Sequence, residues 1–254
     1  TSFSKHLTDL VGFFYTIMKI WAISDLHLPG EREKTMNQFG AIWANHPAKI
    51  VNNWRSMVDE DDIVIIAGDL TWATQFDSIT SDLNLISALP GQQKILIRGN
   101  HDYWWKKHKK ILKSLPNRIK TLCGDAIKIQ NQIFCGTRGW ISPSDPCSDP
   151  LDNKTFQKEM KQLEMALDAA ILLQTNDEAI HVVLHFPPFT TAGKKTQFFD
   201  LLCRYRIDTC TYGHFHMQEE WEKIPKGLVN GINFILSSTD YLAHKPVLIW
   251  EQNQ

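Results

Sequence analysis

Seven side chains of this sequence have the chemistry of metal ligands, and each stands close behind an apolar stretch of chain. They are carboxylates, imidazoles and one amide: Asp25, His27, Asp69, Asn100, His185, His214 and His216. The set offers oxygen and nitrogen donors but no thiolate, so it suits Mn, Fe, Zn, Co or Ni in a site that keeps positions open for water and substrate. The residue types therefore predict a metal centre with hydrolytic chemistry.

The spacing within the motifs indicates how these side chains can meet. Asp25 and His27 stand at positions i and i+2, and so do His214 and His216. In an extended segment such residues project to the same side, so each pair can face one metal centre. A carboxylate such as Asp69 can bridge two cations about 3.5–4 Å apart, and such a pair clamps the attacking and leaving oxygens of a phosphoryl transfer.

Buried strands must position these residues, because the polar motifs follow runs of apolar, largely β-branched residues. The runs are 18–24, 62–67, 94–98, 179–184 and 208–212. Segments 42–58 and 76–89 carry apolar residues at helical spacing, so the chain begins as a strand and helix alternation with a parallel sheet. Ligands bind beyond the carboxyl ends of strands in such sheets, which lets distant motifs converge. Gly68, Gly99 and Gly213 would let the backbone turn sharply before the ligands.

The remaining pattern predicts further elements. A helix carrying Trp104, Trp105, Ile111 and Leu112 should run to Pro116, with the two tryptophans either walling a pocket or filling the core. Strands are expected at 119–122, 126–129, 132–135, 234–236 and 247–250, and helices at 153–173 and 196–205. Loops 29–41 and 142–152 are expected to determine the choice of substrate.

In chain order the motifs form one series. They read Asp25-Leu26-His27, Gly68-Asp69, Gly99-Asn100-His101-Asp102, His185 and Gly213-His214-Phe215-His216. This series resembles the full signature of calcineurin-like metallophosphoesterases and spans most of the chain. The resemblance implies an α/β fold in which two mixed β-sheets pack face to face with flanking helices, a four-layer sandwich.

The resemblance also implies how the ligands divide. One metal would be held by Asp25, His27 and His216, the other by Asn100, His185 and His214, and Asp69 would bridge them. The implied reaction is dinuclear-metal-dependent hydrolysis of a phosphomonoester or phosphodiester by attack of a metal-bound hydroxide. His101 would donate a proton to the leaving oxygen or stabilise the developing charge.

Departures from the family pattern narrow the resemblance. Protein Ser/Thr phosphatases of this superfamily carry an acid and an arginine after the second motif, whereas this chain has Trp72 where the carboxylate partner of the catalytic histidine stands. Lipid A precursor hydrolases have arginine in place of His101. The sequences flanking Asp25, Asn100 and Gly136 resemble those of a bacterial group of small predicted phosphohydrolases.

Two other functions fit parts of the sequence. A nuclease would share the chemistry, but it needs a basic track, and the formal net charge of the chain is −1. A non-catalytic metal-binding scaffold would keep the fold, but it would not need His101 beside a full ligand set. The expected partner is therefore a small phosphate ester, with no nucleic acid and no membrane, and the oligomeric state stays open.

Composition sets the remaining expectations. A length of 254 residues and 43% apolar content fit one large domain, 18–254, preceded by an N-terminal extension, 1–17. The five cysteines show no CxxC spacing, which predicts free thiols and a cytoplasmic location. The basic run 106–110 is expected to be a solvated face, and Arg138 is a candidate phosphate clamp.

Overall fold

Two mixed β-sheets form the centre of the computed structural model, which describes residues 17–30, 36–105 and 114–252. The strands of the two sheets are β1 (Lys19–Ile23), β2 (Ile63–Ile66), β3 (Gln93–Ile97), β4 (Ile119–Leu122), β5 (Asp125–Ile129), β6 (Gln132–Gly136), β7 (Ala179–Val183), β8 (Thr209–Tyr212), β9 (Gly227–Val229), β10 (Ile232–Leu236) and β11 (Val247–Glu251). The first sheet has the order β11-β1-β2-β3-β4 and the second the order β5-β6-β7-β8-β10-β9.

Both sheets are parallel in their middle and antiparallel at an edge. β1 to β4 run parallel, and β11 pairs antiparallel with β1. In the second sheet β6, β7, β8 and β10 are parallel, while β5 and β9 add antiparallel edges. The parallel strands therefore end at the same side of each sheet.

Helices cover the outer faces of the sheets. They are α1 (His46–Met57), α2 (Thr80–Ala88), α3 (Asp152–Leu173), α4 (Gln197–Leu202) and α5 (Gln218–Lys223). Short 3-10 turns occupy Met36–Phe39, Ala41–Trp43 and Asp77–Ile79. The long α3 follows from apolar residues repeating every three or four positions, of which Phe156, Leu163 and Leu167 are buried.

Three hydrophobic clusters separate the layers. Alternate residues of β1 point to opposite faces, so Ile20 and Ala22 join Phe134 and Val183 of the second sheet in the cluster between the sheets. Ile23 faces the other way, into the cluster under α1 and α2. A third cluster packs α3 and α4 on the second sheet. This confirms the predicted α/β sandwich of two mixed sheets with helices outside.

Some sequence-based boundaries were wrong. The predicted helix 196–205 is shorter and ends at Leu202, since the chain turns at Cys203. Neither α5 nor β9 was predicted, because each is short and has no buried residue. Trp104 and Trp105 lie in a turn rather than a helix, and both are buried in the core under the first sheet.

Several predictions concern residues outside the described ranges. They are the N-terminal extension up to residue 16, part of the loop 29–41, the basic run 106–110, and Ile111 and Leu112 of the predicted helix. The division into an extension and one domain therefore stays a prediction. All five cysteines are free thiols. Within the described residues, no helix combines the length and the apolar content that crossing a membrane requires.

One buried lysine ties β3 to the end of α2. Lys94 is fully buried, and its amino group donates to the carbonyl oxygens of Leu89 and Gly91. These carbonyls follow the last turn of α2, where helix carbonyls lack intrahelical partners. Burial lowers the pKa of Lys94 from 10.5 to about 8.

Candidate metal centre

The predicted ligands all lie beyond the carboxyl ends of five parallel strands. Asp25 and His27 follow β1, Asp69 follows β2, and Asn100 follows β3. The second sheet contributes His185 after β7, and His214 with His216 after β8. Because the parallel strands of both sheets end on the same side, all of the predicted ligands come together there. The convergence expected from the strand ends is what the structure shows.

The first group of donors consists of Asp25, His27 and His216. One donor atom from each lies within 4.8 Å of the others. The Oδ1 atom of Asp25 is 3.4 Å from Nε2 of His216. The same three residues are those that the family resemblance assigns to one metal ion.

The second group consists of Asn100, His185 and His214. The side-chain oxygen of Asn100 lies 2.7 Å from Nε2 of His185 and 3.0 Å from Nδ1 of His214. The Nδ1 atom of His185 is 2.9 Å from the carbonyl oxygen of Ala67, so this nitrogen carries the proton and Nε2 is left as a donor for a cation.

Asp69 lies between the two groups. Its Oδ1 atom accepts the backbone N–H of His101 at 2.8 Å, which fixes the carboxylate. Its Oδ2 atom is 3.9 Å from Nε2 of His27 in the first group and 3.5 Å from Nε2 of His185 in the second. One carboxylate oxygen therefore faces donors of both groups, as a bridging ligand would.

The backbone is strained at four of these residues. Asp25, His27, Asp69 and His214 have φ values of 56°, 44°, 53° and 74°. This left-handed region is uncommon for residues with a Cβ atom, and such strain concentrates at functional sites. Packing and hydrogen bonds hold the backbone there; for example, the N–H of His214 donates to Oδ2 of Asp25 at 3.1 Å.

Two glycines are needed here for space. A Cβ atom on Gly99 would overlap the carboxylate and backbone nitrogen of Asp69, and one on Gly213 would overlap the side chains of Ser24 and Asp25. The expectation of a sharp turn applies only to Gly68, which has a φ of 93°. The other two glycines lack the positive φ that the turn argument assumed, and their role is to let two strand ends approach.

The sequence of this chain is similar to those of a known protein family. A family profile for calcineurin-like phosphoesterases matches residues 18–218. The chain belongs to the calcineurin-like phosphoesterase family. Members of this family are metal-dependent hydrolases of phosphate esters.

Two individual proteins resemble this phosphoesterase. The Gene 66 protein of Mycobacterium phage L5 is 33% identical over 82 residues, which cover 32% of this chain and 39% of the phage protein. The match thus spans about two fifths of the phage protein's length. A solved structure of a protein of unknown function, AQ665 from Aquifex aeolicus, is 18% identical in sequence and superposes with a TM-score of 0.49. The match covers 91% of this chain and 95% of the Aquifex aeolicus chain.

Burial and crowding set the charges of the phosphoesterase site. Burial raises the pKa of Asp69 well above its usual value, and the carboxylates of Asp102 and Asp25 raise it further. For Asp25, burial is outweighed by the hydrogen bond and charge of His216, which hold its pKa below the usual value. Burial lowers the pKa of His185 to about 4, so this imidazole is neutral at pH 7, the form that binds a cation.

Two carboxylates that the sequence reasoning left without a role support the ligands. Asp102 is fully buried and accepts the backbone N–H groups of Gly99 at 2.8 Å and Asp69 at 2.9 Å. Asp240 lies 3.0 Å from Nδ1 of His216, which leaves Nε2 of that histidine facing the first group. Burial opposes protonation of His216, but its hydrogen bonds to Asp240 and Asp25 hold its pKa well above the usual value.

Asp102 was within reach of sequence reasoning because it ends the third motif. Asp240 was not, since it stands in a turn after β10 without any motif around it.

Trp72 occupies the position where the related protein phosphatases carry a carboxylate. Its ring stacks on His27, with centroids 4.7 Å apart, and lies 4.7 Å from the ring of His101. The predicted catalytic histidine is therefore next to the ligand set, with ring centroids of His101 and His27 5.6 Å apart. In this chain an indole, not an acid, packs against His101.

The residues fit divalent cations. Carboxylate, amide and imidazole donors converge, and the Nδ1 atom of His27 is buried with no hydrogen-bond partner among the described residues. The crowded carboxylates that raise the pKa of Asp69 are also the setting in which a bound cation is stabilising.

Proposed function

We propose that this chain is a dinuclear-metal phosphohydrolase that cleaves phosphomonoesters or phosphodiesters. The observation that carries the proposal is Asp69, whose Oδ2 atom faces His27 of one donor group and His185 of the other. A site for one ion would not need a carboxylate placed between two complete sets of donors. The proposed ligand sets are those given by the resemblance, with Asp69 shared.

Bound divalent ions supply a nucleophilic water and neutralise charge on the phosphoryl oxygens. The residues of the chain do the rest. Asp69 and Asp25 are held in fixed positions by N–H donors, so the site is organised before substrate arrives. His101 lines the cavity that opens beside the ligands, and we assign it the transfer of a proton to the leaving oxygen.

The alternatives find less support. A nuclease needs cationic side chains along the path of the strand, and the described residues around the cavity at the metal centre include no lysine or arginine. A non-catalytic scaffold has no use for His101, whose ring lies 5.6 Å from that of His27. The proposed substrate is therefore a small phosphate ester.

The test is turnover of p-nitrophenyl phosphate and bis-p-nitrophenyl phosphate after reconstitution with Mn, Ni, Co or Zn. We expect metal-dependent turnover in the wild type, none in Asp69→Ala, and a loss of about 100-fold or more in kcat for His101→Ala. The control is Lys161→Gln, an exposed change on α3. Faster turnover of p-nitrophenyl phosphate would indicate a monoesterase, and faster turnover of bis-p-nitrophenyl phosphate a diesterase.

Absence of turnover with every metal, in protein that binds two ions by calorimetry, would support the scaffold instead. Full activity of Asp69→Ala would contradict the bridging role.

A further inference from the structure

An apolar cavity of about 300 Å³ opens beside the metal centre. Three site histidines line it: His27, His101 and His216. The apolar part of the lining consists of Met36, Phe39, Trp43, Trp72 and Met217. The cavity thus joins the proposed reacting centre to a hydrophobic surface.

The apolar lining is not part of the protein core. Met36, Trp43 and Trp72 form a small buried cluster separate from the three clusters that hold the sheets and helices together. Phe39 and Met217 are 57% and 60% exposed, so two large apolar side chains stand in water beside this cluster. Such an arrangement is typical of a ligand pocket, where a bound group covers apolar surface that the protein leaves open.

The charges around the cavity narrow the ligand. Asp240 is the carboxylate among its described lining residues, and it is engaged with Nδ1 of His216 at 3.0 Å. With no lysine or arginine in the described lining, and with Asp240 already paired with His216, the cavity does not favour a second phosphate or a sugar acid. It favours a flat, uncharged group that can pack on indole faces.

We propose that this cavity binds the leaving alcohol of the substrate and that this alcohol carries a planar aromatic ring. The proposal rests on the proposed function, because His101 places the leaving oxygen at the cavity. An acid that protonates the leaving oxygen must lie beside it, and His101 lines the same cavity as Trp43 and Trp72. The ring would stack against these indoles and contact Phe39 and Met217.

The test measures binding, so it does not depend on turnover. Phenylphosphonate and methylphosphonate share the phosphonate that anchors at the metals, and only the first has a ring. We expect the Mn-loaded protein to bind phenylphosphonate about tenfold more tightly or better by isothermal titration calorimetry, as burial of one ring predicts. Phe39→Ala and Met217→Ala should each reduce this ratio severalfold and leave the affinity for methylphosphonate unchanged.

The control is Met165→Ala, which removes a similarly exposed apolar side chain on α3, outside the lining of the cavity. Equal affinities for the two phosphonates, or a ratio that survives both cavity variants, would overturn the proposal, as would failure of both phosphonates to bind. The expected affinity ratio without any ester turnover would support the aromatic pocket and contradict the proposed hydrolase function. Ester turnover without the affinity ratio would support the hydrolase function and contradict the aromatic pocket.

A second cavity, of about 170 Å³, carries an independent inference. Its lining includes Arg98, Arg138 and Lys158 against a single carboxylate, Glu159. Arg98 directly precedes the third motif, and the carbonyl of Arg138 accepts the N–H of His185 at 2.9 Å. Arg98 therefore belongs to a segment that carries a predicted metal ligand, and the backbone of Arg138 is hydrogen-bonded to another.

The positive charge of this second cavity is only partly balanced. Glu159 is 3.3 Å from the guanidinium of Arg138, whose face lies 4.1 Å from the ring of Trp140. The buried Nε atoms of both Arg98 and Arg138 have no hydrogen-bond partner within the described chain. Buried guanidinium nitrogens are normally satisfied, so these two indicate a missing acceptor.

The geometry points to an oxyanion, such as a phosphate or sulfate group, bound between Arg98, Arg138 and Lys158. The planar guanidinium matches the geometry of such oxygens and can bind them with two hydrogen bonds. This would be an anion site distinct from the metal centre, and it does not depend on bound metal. Burial lowers the pKa of Arg138; the charge of Glu159 opposes this, and that of Arg98 adds to it.

Inorganic phosphate and metal-free protein provide the test, after the chelator has been dialysed away. We expect phosphate to raise the Tm of the wild type at constant ionic strength set with chloride. Arg98→Gln should need at least about tenfold more phosphate for the same rise in Tm. Lys158→Gln should weaken phosphate binding less, because it removes only an exposed point charge.

Lys161→Gln, three positions along the same helix, should behave as the wild type. The inference fails if phosphate leaves the wild-type Tm unchanged, or if Arg98→Gln and Lys158→Gln both respond like the control.

Discussion

Asp102 offers the sharpest test of how the metal centre is supported. Its carboxylate is fully buried and accepts four N–H groups. Oδ2 accepts from Gly99 at 2.8 Å and Asp69 at 2.9 Å, and Oδ1 accepts from Leu70 at 3.1 Å and the indole of Trp104 at 2.9 Å. Asp102→Asn preserves the shape but places an NH2 group against two of these donors.

The magnitude follows from those four bonds. Two hydrogen bonds are lost whichever way the amide turns, and each unsatisfied buried donor costs about 1–3 kcal/mol. Burial raises the pKa of Asp102, so the native carboxylate itself carries a desolvation cost that asparagine avoids. We therefore expect Asp102→Asn to lower the free energy of unfolding by about 2–4 kcal/mol.

Urea denaturation of the metal-free protein measures this value, and Asp82→Asn is the matched control. Asp82 is also buried, but its side chain accepts the hydroxyl of Thr71, at 2.5 Å, in place of a set of four donors. That variant should lose only about 1 kcal/mol. Asp102→Asn should also weaken Mn binding, because Asp69 and the segment before Asn100 lose their anchor. A loss below that of the control would refute the reasoning.

Three further predictions follow from single contacts. Asp240→Asn should weaken Mn affinity about 10- to 100-fold by calorimetry, because a neutral amide holds the Nδ1–H of His216 less firmly and leaves its Nε2 a weaker ligand; an unchanged affinity would exclude that role. Gly99→Ala should remove Mn binding or folding, since its Cβ overlaps Asp69; normal binding would contradict the close approach. The free energy of unfolding of the wild type, relative to that of Lys94→Met, should rise between about pH 8 and 10.5, because the unfolded chain there holds the Lys94 proton and the folded chain has released it. Urea denaturation at several pH values measures this difference, and a difference that does not change with pH would contradict the prediction.

The convergence of the proposed ligands could be predicted from the sequence because each follows a strand with a clear apolar run. Ile63–Ile66, for example, is four β-branched residues, all buried, and Asp69 stands three residues after it. Strand ends of parallel sheets meet by topology alone, so convergence needs no knowledge of loops. The two packed sheets, by contrast, were expected from the family resemblance and not from the strand pattern.

What the sequence could not show depends on contacts between distant segments. Asp240 supports His216 across 24 positions, and no local pattern marks it. Trp43, 29 positions before Trp72, joins it in one cavity because the 3-10 turn at Ala41–Trp43 carries it there. α5 is a six-residue helix with no buried residue, so it has no periodicity to detect.

The positive φ angles at Asp25, His27, Asp69 and His214 have a consequence for protein design. Glycine adopts this backbone without strain, and at Asp69 it would also remove a buried carboxylate whose pKa is raised by its neighbours. A procedure that optimised folding stability alone would therefore replace the proposed metal ligands. Their presence marks a trade-off in which part of the folding free energy is given up to keep a reactive centre.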